Sequence, residues 1–502
     1  MESLTFVNTM RRQILMLLDG PTAPVYALRL TEQLCTELDC TVSYRLSPQQ
    51  SGSATRYPRH WRPDLLVASK EIANQPSGSN NPAPDIAIDF RSSPDQYTTE
   101  CPVLRCDFFE HARDWEFPTL AHCIVESRRY LRLNMILLAP GSREKMLIHA
   151  AQVPVSLHHY RRSLDRILDE ALRLISQSTK LILTDAARSG TPTVVVDSTR
   201  NPVGLFQLQL AILRHQLKHR YRQLTSTDVW NIAKVDAPVE RLAFGQLSHS
   251  EKTKWMKESA NGSFQADPFA FQTRDKQDVV FYEYLKNGSG SIFISPGNQS
   301  LLSGSHFSYP YTLESEGAHY ILPENQRSGK LVLYKLNSEL SGIEHSFVLL
   351  ERFHAVDPSL IFFENRWWLF CTDASEKGAD IRLHVFHSEN LTGPFLSHPK
   401  NPVKTDICSA RPAGHLFIHK GKLYRPAQDS SKRYGGSIRI HQVETISPHD
   451  FSEVCINTLE PHQFGHRYPD GIHTLSICGD HCYIDGKRTR RGLFSPFKSA
   501  GR

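Results

Sequence analysis

Val356-Asp-Pro-Ser-Leu-Ile-Phe-Phe363 opens the segment of sequence that decides the fold. A turn pattern, Glu364-Asn-Arg366, separates it from a second apolar run, Trp367-Trp-Leu-Phe-Cys-Thr372, and a third run follows at Ile381-Arg-Leu-His-Val-Phe-His387. β-Branched and aromatic residues bounded by turn formers are typical of antiparallel strands. Proline is tolerated at the start of a strand and biases the preceding residue toward extended geometry, so Asp357-Pro358 marks where the first strand begins.

Four other segments of the C-terminal half open in the same way. Each has a polar or aromatic residue directly before a proline, and the five pairs are Asp267-Pro268, Tyr309-Pro310, Asp357-Pro358, Arg411-Pro412 and Tyr468-Pro469. The prolines recur about every 40 to 60 residues, and strand patterns separated by turns follow each one. Such units are blades of a β-propeller, in which radial packing protects the sheet edges. We therefore predict an all-β five-bladed propeller over residues 260–490.

The residue before each proline begins the innermost strand of its predicted blade. Five side chains are therefore expected to converge at the centre: Asp267, Tyr309, Asp357, Arg411 and Tyr468. Convergent polar groups in a concavity are typical of a binding site, so we predict a ring that contacts a ligand. The alternative is that these residues only begin strands.

The N-terminal half has a different pattern. Short apolar segments such as Ile14–Leu18 and Asp85–Phe90 alternate with amphipathic stretches such as Val25–Leu38, which is typical of a parallel α/β sheet. Longer helices are predicted over residues 156–176 and 205–222, covering this sheet or bridging to the second half. The periodicity fades between Asp228 and Ser263. We predict a doubly wound α/β domain over residues 1–240, followed by the propeller over 260–490.

Composition and charge exclude several classes of protein. The 502 residues are 40% hydrophobic and 22% charged, with a formal net charge of +6. So small and diffuse a charge argues against nucleic-acid binding. The ten cysteines are scattered and lack paired CxxC spacing, so we expect neither a metal site nor a disulfide framework, and reduced thiols favour the cytoplasm. No apolar run is long enough to span a bilayer, so no transmembrane segment is expected.

Longer motifs run through every predicted blade in order. They include Ser308-Tyr-Pro310, Tyr320-Ile-Leu-Pro-Glu324, Leu391-Thr-Gly-Pro-Phe395, His398-Pro-Lys-Asn-Pro402, Ala410-Arg-Pro-Ala-Gly414, Tyr424-Arg-Pro-Ala-Gln-Asp429 and Tyr434-Gly435. Together these motifs resemble the N-terminal propeller domain of glucosamine inositolphosphorylceramide transferases. In the plant enzymes a separate glycosyltransferase domain follows, which is not expected here because the chain ends at Arg502. The resemblance implies a sugar, sugar-phosphate or glycolipid substrate.

The predicted propeller is also distantly similar to family 43-type glycoside hydrolases, which place catalytic carboxylates at the starts of successive blades. This resemblance puts Asp267 in the position of the base and Asp357 in that of the acid, while Tyr309 replaces a further Asp. Glycoside hydrolysis requires two carboxylates in different environments. The catalytic candidates are Asp267, Asp357 and Glu324, with Glu283 and Glu316 in reserve.

Two arginines precede Pro-Ala on neighbouring predicted strands. Arg411 and Arg425 suit a phosphate or carboxylate, because a guanidinium group is a rigid bidentate donor. The alternative is an Arg–Asp pair that only ties two strands together. The candidate ligand-binding residues are Tyr309, Arg411, Arg425, Gln428, Asp429, Tyr468, Asp470 and His473, and no metal ligand is predicted.

Two segments of the first half weakly resemble the N-terminal domain of formyltransferases: Gln13-Ile-Leu-Met-Leu-Leu-Asp-Gly-Pro21 and Asp85-Ile-Ala-Ile-Asp-Phe90. The Asn-x-His motif and downstream Asp of that family are not recognisable. Transfer of a one-carbon group would require a His and an Asp at the strand ends. Since ligands bind at the carboxyl ends of parallel strands, the loop at Asp19-Gly-Pro21 is the expected edge.

These observations predict a carbohydrate-active protein of glycoconjugate or polysaccharide biosynthesis. Its propeller is expected to bind a sugar or sugar-phosphate, with glycosyl or formyl transfer as the reaction, and the sequence names no cofactor. Two alternatives are a non-catalytic glycan-binding module on a degenerate transferase domain and a family 43-like glycoside hydrolase. Two carboxylates facing each other across a pocket would favour an enzyme, and a central face of only tyrosines and arginines would favour binding.

Overall fold

The chain divides into two compact units, Met1–Lys218 and His219–Arg502. The structure is a computed structural model that describes residues 12–19, 22–38, 40–47, 69–71, 83–91, 101–109, 117–140, 145–184, 191–192, 203–247, 252–260, 262–375 and 378–492. The division lies earlier in the chain than the predicted boundary at 240–260. Gly20-Pro21 and most of the predicted loop at 74–84 lie outside the described residues.

The first unit combines strands with four helices. Its strands are β1 Arg12–Asp19, β2 Thr22–Pro24, β3 Cys40–Ser47, β4 Ser69–Glu71, β5 Ile86–Asp89, β6 Val103–Cys106, β7 Tyr130–Leu138, β8 Lys145–Pro154 and β9 Thr191–Pro192. Its helices are α1 Val25–Leu38, α2 Pro118–Val125, α3 Tyr160–Leu183 and α4 Leu205–Thr225, which continues past residue 218. None of these helices has the length and apolar character needed to cross a bilayer, within the described residues.

The main sheet of the first unit is mixed. Its order is β8-β7-β6-β5-β1-β3, and the four strands β6, β5, β1 and β3 are parallel. β7 pairs antiparallel with both β6 and β8. The central parallel strands β1, β5 and β6 have short apolar sequences that are buried, whereas the edge strand β3 is more polar and partly exposed.

The helices of the described residues pack on one face of this sheet. Alternate residues Ile14, Met16 and Leu18 belong to a core cluster that includes side chains of all four helices. Leu15 and Leu17 point the other way, into a buried cluster whose described members lie outside the helices. The predicted doubly wound, formyltransferase-like fold is therefore not supported.

The second unit is almost entirely β. Besides the end of α4, the short helix α5 Val239–Ala243 and two short 3-10 helices, Gln326–Ser328 and Pro461–Phe464, its described elements are strands. These are β10 Ser226–Val235, β11 Thr253–Trp255, β12 Ser263–Gln272, β13 Asp278–Lys286, β14 Ser289–Ser295, β15 Gln299–Leu302, β16 Ser308–Ser315, β17 Ala318–Glu324, β18 Lys330–Leu336, β19 Ile343–Glu351, β20 Ala355–Phe363, β21 Arg366–Asp373, β22 Arg382–Ser388, β23 Leu396–Ser397, β24 Lys404–Asp406, β25 Phe417–His419, β26 Lys422–Asp429, β27 Ser437–Ile446, β28 Phe451–Leu459, β29 Leu475–Cys478 and β30 His481–Arg491.

These strands form a propeller arrangement, but the predicted count of five blades is not confirmed. The described residues contain four separate four-stranded antiparallel sheets: β12-β13-β14-β15, β16-β17-β18-β19, β25-β26-β27-β28 and β11-β10-β30-β29. The repeat that begins at Asp357 differs from them. Its strands β20, β21 and β22 pair antiparallel, but its outer edge is broken into two short pieces, β23 and β24, which both pair with β22.

The first strands of the sheets follow one another around a common centre. β12 contacts β16 on one side and β29 on the other, and β16 also contacts β20. Gly414 forms a parallel bridge with Leu475. Gly414 has a φ of 115°, and an added Cβ would lie 1.8 Å from the Leu475 carbonyl oxygen, so only glycine permits this approach. Pairing of β10 with β30 joins the two ends of the unit in one sheet.

Candidate functional site

Three of the five predicted ring residues share one unusual backbone conformation. Asp267, Tyr309 and Asp357 have φ angles of 51°, 47° and 49°. At each of them the register shifts between the first and second strands of the sheet, which is a β-bulge. Bulges re-aim a side chain and are common beside functional sites. The residue-Pro signal therefore corresponds to the same bulge in three inner strands, at the fifth residue of β12, the second of β16 and the third of β20.

Asp357 is the centre of a buried polar cluster. Its Oδ2 accepts hydrogen bonds from Arg411 Nε at 2.5 Å and from Gln428 Nε2 at 2.6 Å. Gln428 Nε2 also donates to the Pro412 carbonyl, whereas Gln428 Oε1 is buried and has no hydrogen-bond partner in the described part of the chain. A buried amide oxygen without a donor is costly, and a ligand hydroxyl or amine would satisfy it.

Arg411 connects this cluster to the surface of the unit. Its Nη1 donates to Asp380 Oδ1 at 2.8 Å, and the Asp380 side chain is 45% exposed. Its guanidinium lies over the Tyr434 ring, 5.1 Å from the ring centroid, a cation–π arrangement. Asp380 and Tyr434 are thus the groups that a ligand would meet before it reached Asp357.

Glu324 joins the same cluster. Its Oε2 accepts a hydrogen bond from the backbone N–H of Asp357, and both carboxyl groups are buried. Burial raises the pKa of Asp357 to about 6; Arg411 opposes this rise, and the neighbouring Glu324 carboxyl adds to it. Asp357 therefore loses its proton at a higher pH than an ordinary aspartate, because its pKa lies at about 6.

A second buried cluster surrounds Asp267. Asp267 Oδ1 accepts from Thr474 Oγ1 at 2.8 Å and lies 3.6 Å from His473 Nδ1. His473 Nδ1 lies 2.5 Å from Asp485 Oδ2. Burial lowers the pKa of His473, but Asp485, Asp267 and, more weakly, Asp357 outweigh burial and raise it. The charges of both predicted catalytic aspartates therefore act on one imidazole.

Asp267, His473 and Asp485 also present three potential metal-ligand atoms close together. However, Asp485 already accepts the backbone N–H groups of Asp267, His473 and Thr474. These three hydrogen bonds hold the Asp485 carboxylate in place beside the His473 imidazole.

Aromatic rings connect the two clusters. His473 stacks on Trp230 at 4.0 Å with an interplanar angle of 16°, and Tyr434 meets His473 edge-on at 5.4 Å. Lys487 Nζ donates to the Tyr434 carbonyl and lies 5.0 Å from the Trp230 ring centroid. Burial lowers the pKa of Lys487 to about 8. The central face therefore contains aromatic surface and a second cation besides Arg411.

Several predicted site residues lie elsewhere. Arg425 donates to both carboxylate oxygens of Glu453 on β28, at 2.6 and 2.8 Å, so it does not pair with Arg411. Asp429 binds Arg439, at 2.6 Å from its Nη2. In both cases the side chain joins strands within one sheet. Arg425 and Asp429 thus each form an ion pair between strands, with Glu453 and Arg439, while the Arg–Asp pairs of Arg411 are with Asp357 and Asp380.

The aromatic and acidic candidates of the last repeat also point away from the centre. Tyr468 Oη donates to Glu258 at 2.6 Å and accepts from Asn231 Nδ2. Asp470 binds Arg433 and the backbone N–H of Thr489. At the position expected for Tyr468, the structure places His473 and Thr474, next to Asp267.

Tyr309 is central but acts between sheets. Its Oη accepts the backbone N–H of Gly414 at 2.6 Å and lies 2.9 Å from Ser359 Oγ. It is completely buried, and its hydroxyl joins β16 to Ser359 on β20 and to the segment around Gly414. Of the reserve acids, Glu283 is buried 3.9 Å from His306 Nε2, and Glu316 is exposed in a turn.

The repeat pattern missed Asp380, Tyr434, Asp485 and Lys487. Asp380 and Tyr434 lie in loops, and the other two lie on the last strand, which no repeat signal marks. Of these four residues, only Tyr434 belongs to a motif identified in the sequence, Tyr434-Gly435.

In the first unit, Asp89 at the end of β5 binds Arg91 and Arg105. These described strand ends lack the His–Asp pair that one-carbon transfer would require.

Comparison with known proteins gives a match to the second unit. Residues 250–473 match the family model described as glucosamine inositolphosphorylceramide transferase 1, N-terminal. The enzyme of that name from Oryza sativa subsp. japonica is 30% identical over 264 residues, which are 46% of this chain and 35% of the relative. The Arabidopsis thaliana enzyme is 32% identical over 173 residues, 33% of this chain and 22% of the relative.

Among solved structures, a thermostable family-43 glycoside hydrolase is 12% identical, with a TM-score of 0.31 over 38% of this chain and 74% of that one. At this score the likeness supports no inference about activity. The chain spans about a third of the length of the rice relative. Over residues 250–473, this chain is therefore similar to the N-terminal domain of glucosamine inositolphosphorylceramide transferase 1.

Proposed function

We propose that the second unit binds a carbohydrate group at its central face, as part of glycoconjugate or polysaccharide synthesis. The observation that carries this proposal is the Asp357–Arg411–Gln428 cluster, with the buried Gln428 Oε1 in need of a donor. A sugar hydroxyl both donates and accepts hydrogen bonds, so one hydroxyl could donate to Gln428 and another accept from Arg411. The names of the relatives, which refer to glucosamine and inositolphosphorylceramide, support a sugar or sugar-phosphate ligand.

Arg411 gives this site a preference for an anionic group. Two of its nitrogens are directed at Asp357, which leaves Nη1 for the half-exposed Asp380. A phosphate on the ligand would replace Asp380 as the partner of Nη1, because it offers several acceptor oxygens and can approach from solvent. The ligand would therefore contact Arg411 through one nitrogen rather than through the predicted fork of two arginines.

We also propose that strands β20, β21, β22 and β24 serve as a further blade of this propeller. They pair antiparallel among themselves, and the first of them has the same bulge as β12 and β16. This proposal places Asp357 in the same ring as Asp267 and Tyr309.

A titration of the full chain tests the binding proposal. We would measure heat or thermal stability with glucosamine, inositol phosphate and a nucleotide sugar, since a ligand of the native state raises its melting temperature. We expect one of the phosphate-bearing ligands to bind, and Gln428→Leu to weaken it. Asp429→Asn is the matched control, since Asp429 lies on the same strand but binds Arg439. Equal effects of the two substitutions, or no binding by any of the three ligands, would contradict the proposal.

A second candidate function is group transfer with acid–base catalysis at the same face. The specific observation is the buried Asp357–Glu324 carboxyl pair, together with the separate environment of Asp267. A carboxyl that keeps its proton to about pH 6 is suited to donate it to a leaving group. If the protein turns over a glycoside or sugar phosphate, we expect the rate to fall as pH rises above about 6. A rate independent of pH between 5 and 8 would exclude Asp357 as the acid.

A further inference from the structure

Away from the central face, a thiol, an imidazole and a carboxylate converge at the junction of two sheets. Cys478 is the last residue of β29 and His481 the first of β30, and the two are directly paired across a two-residue turn. Paired residues project from the same face of a hairpin, so both side chains point the same way. The first residue of β13, Asp278, meets them from the neighbouring sheet.

The distances between the three groups are those of a compact site. His481 Nε2 lies 2.8 Å from Asp278 Oδ2, and Cys478 Sγ lies 3.6 Å from Asp278 Oδ1. The three potential ligand atoms all lie within 4.8 Å of one another. Around a tetrahedral zinc with bonds of about 2.0 to 2.3 Å, ligand atoms are separated by about 3.2 to 3.8 Å, so small side-chain shifts would suffice.

The surroundings of His481 favour a ligand role. Its Nδ1 lies 3.1 Å from Asp480 Oδ1, while Nε2 points to Asp278. Histidines that bind metals usually donate their other ring N–H to a carboxylate, which fixes the ring and its tautomer. Asp480 lies in the turn between Cys478 and His481, so the same turn supplies two ligands and the supporting carboxylate.

A cation already occupies part of this site. Lys234 Nζ donates to Asp278 Oδ2 at 2.7 Å, and Tyr483 Oη donates to the same oxygen at 2.7 Å. The Lys234 side chain is 32% exposed, so its ammonium can turn into solvent on its flexible stem. A metal ion would therefore replace a lysine that can leave, and it would enter from the solvent side.

We propose that Asp278, Cys478 and His481 form a zinc site that joins β13 to the β29–β30 hairpin. Sulfur, nitrogen and oxygen ligands in one small site are the set that zinc prefers. Three protein ligands leave the fourth position to water. The predictions from sequence missed this site because its Cys-x-x-His pair lies on one repeat and its aspartate on another.

Metal titration of the full-length protein tests the proposal. After treatment with a chelator, we expect one Zn²⁺ to bind per chain, and Co²⁺ to give the near-ultraviolet absorption band of a thiolate–cobalt bond. Cys478→Ser should abolish that band and weaken Zn²⁺ binding more than about 100-fold, the upper end of the effect of losing a supporting partner. Cys482→Ser is the matched control, because Cys482 is also buried on this hairpin but belongs to a hydrophobic cluster. It should leave metal binding unchanged.

Two further variants keep the test decisive if Cys478→Ser does not fold. Asp480→Asn should weaken Zn²⁺ binding about 10- to 100-fold without removing a ligand. Lys234→Gln removes the competing ammonium and should tighten Zn²⁺ binding several-fold. If the cluster is only an ion-pair network, the protein will bind no stoichiometric Zn²⁺, and Lys234→Gln will lower the melting temperature without any effect of added zinc. That result would overturn the proposal.

Discussion

Glu453→Gln tests whether Arg425 is a structural residue, as its contacts indicate, or part of the ligand site. Arg425 is fully buried and the Glu453 side chain is 3% exposed. Arg425 makes two hydrogen bonds to Glu453, at 2.6 and 2.8 Å, and one to the Ser409 carbonyl at 2.6 Å. Glutamine keeps the size of the side chain but removes the charge and one acceptor, so a buried guanidinium would lose its counter-ion.

The expected cost follows from that loss. Removal of one partner from a buried ion pair destabilises a protein by about 3–5 kcal/mol. For a unit of this size each kcal/mol lowers the melting temperature by about 2–4 °C, so a decrease of roughly 6–20 °C is expected. Lys404, which also binds Glu453 at 2.7 Å, is nearer the surface and adds less to the cost.

Urea unfolding followed by tryptophan fluorescence would measure the change. Glu444→Gln is the control: Glu444 is exposed on β27 of the same sheet, and its substitution should change the free energy of unfolding by less than about 0.5 kcal/mol. If Glu453→Gln were also within about 1 kcal/mol of the wild type, the ion pair would not hold the sheet together. Arg425 would then return as a candidate ligand for an anion.

The same pair predicts a dependence of stability on pH. Burial alone would raise the pKa of Glu453, but Arg425 and Lys404 outweigh burial and hold it well below its ordinary value. The stabilisation is therefore fully present above the ordinary glutamate pKa of about 4.3 and is lost as pH falls below it. The wild type should lose more stability on acidification than Glu453→Gln, and parallel pH curves would contradict this assignment.

Three further predictions concern the inner strands. Asparagine at position 357 tolerates positive φ, but Asp357→Asn leaves Arg411 with Asp380 as its carboxylate partner. We expect the free energy of unfolding to fall by about 1–3 kcal/mol, measured with urea, and ligand binding to weaken, measured by titration. Arg411→Lys cannot reproduce the paired contact to Asp357 and should weaken a phosphate-bearing ligand by about 1–3 kcal/mol; unchanged affinity would remove Arg411 from the site. Burial lowers the pKa of His415 to about 4, so the stability that its neutral ring provides is complete above about pH 6.5 and is lost as pH falls toward 4. In His415→Gln the urea midpoint should therefore depend less on pH over this range, and an unchanged dependence would refute this role.

The positions of three inner strands were predictable because proline carries a local backbone constraint, although β12 begins four residues before Asp267. At Asp267, Tyr309 and Asp357 the residue-Pro pair coincides with the same bulge. The signal failed at Tyr468 because Asp470 and Gly471 first pair with Lys487, and β29 begins only at Leu475. The residues that face Asp267 therefore come five and six positions later than the repeat predicts.

The grouping of polar residues was less predictable, because it depends on which face of a strand each side chain occupies. Arg411 and Arg425 both precede Pro-Ala, yet the first lies in a bend six residues before β25 and the second lies within β26. A shift of one residue in register sends a side chain to the opposite face, and sequence spacing alone does not fix that register. Asp380 and Tyr434 come from loops, whose paths follow from packing rather than from a repeat.

Some buried side chains of the inner strands hold neighbouring strands together, whereas others are the contacts that we propose for a ligand. Tyr309 makes its hydrogen bonds to Gly414 and Ser359, and His415 accepts from Ile477 through Nδ1, so these buried groups join neighbouring inner strands. A non-glycine residue at positive φ costs of order 1–3 kcal/mol, and at Tyr309 these contacts offset that cost.

Asp267 and Asp357 have the same positive φ as Tyr309, but their side chains do not join neighbouring strands in the same way. Their carboxylates bind other polar side chains, Thr474 in one case and Arg411 with Gln428 in the other, and both act on His473. Backbone strain at two buried carboxylates, one of them bound to an amide whose oxygen has no partner among the described residues, is typical of a functional site. The ligand site that we propose therefore lies beside Asp267 and Asp357, and the Tyr309 hydroxyl holds the neighbouring segments together through Gly414 and Ser359.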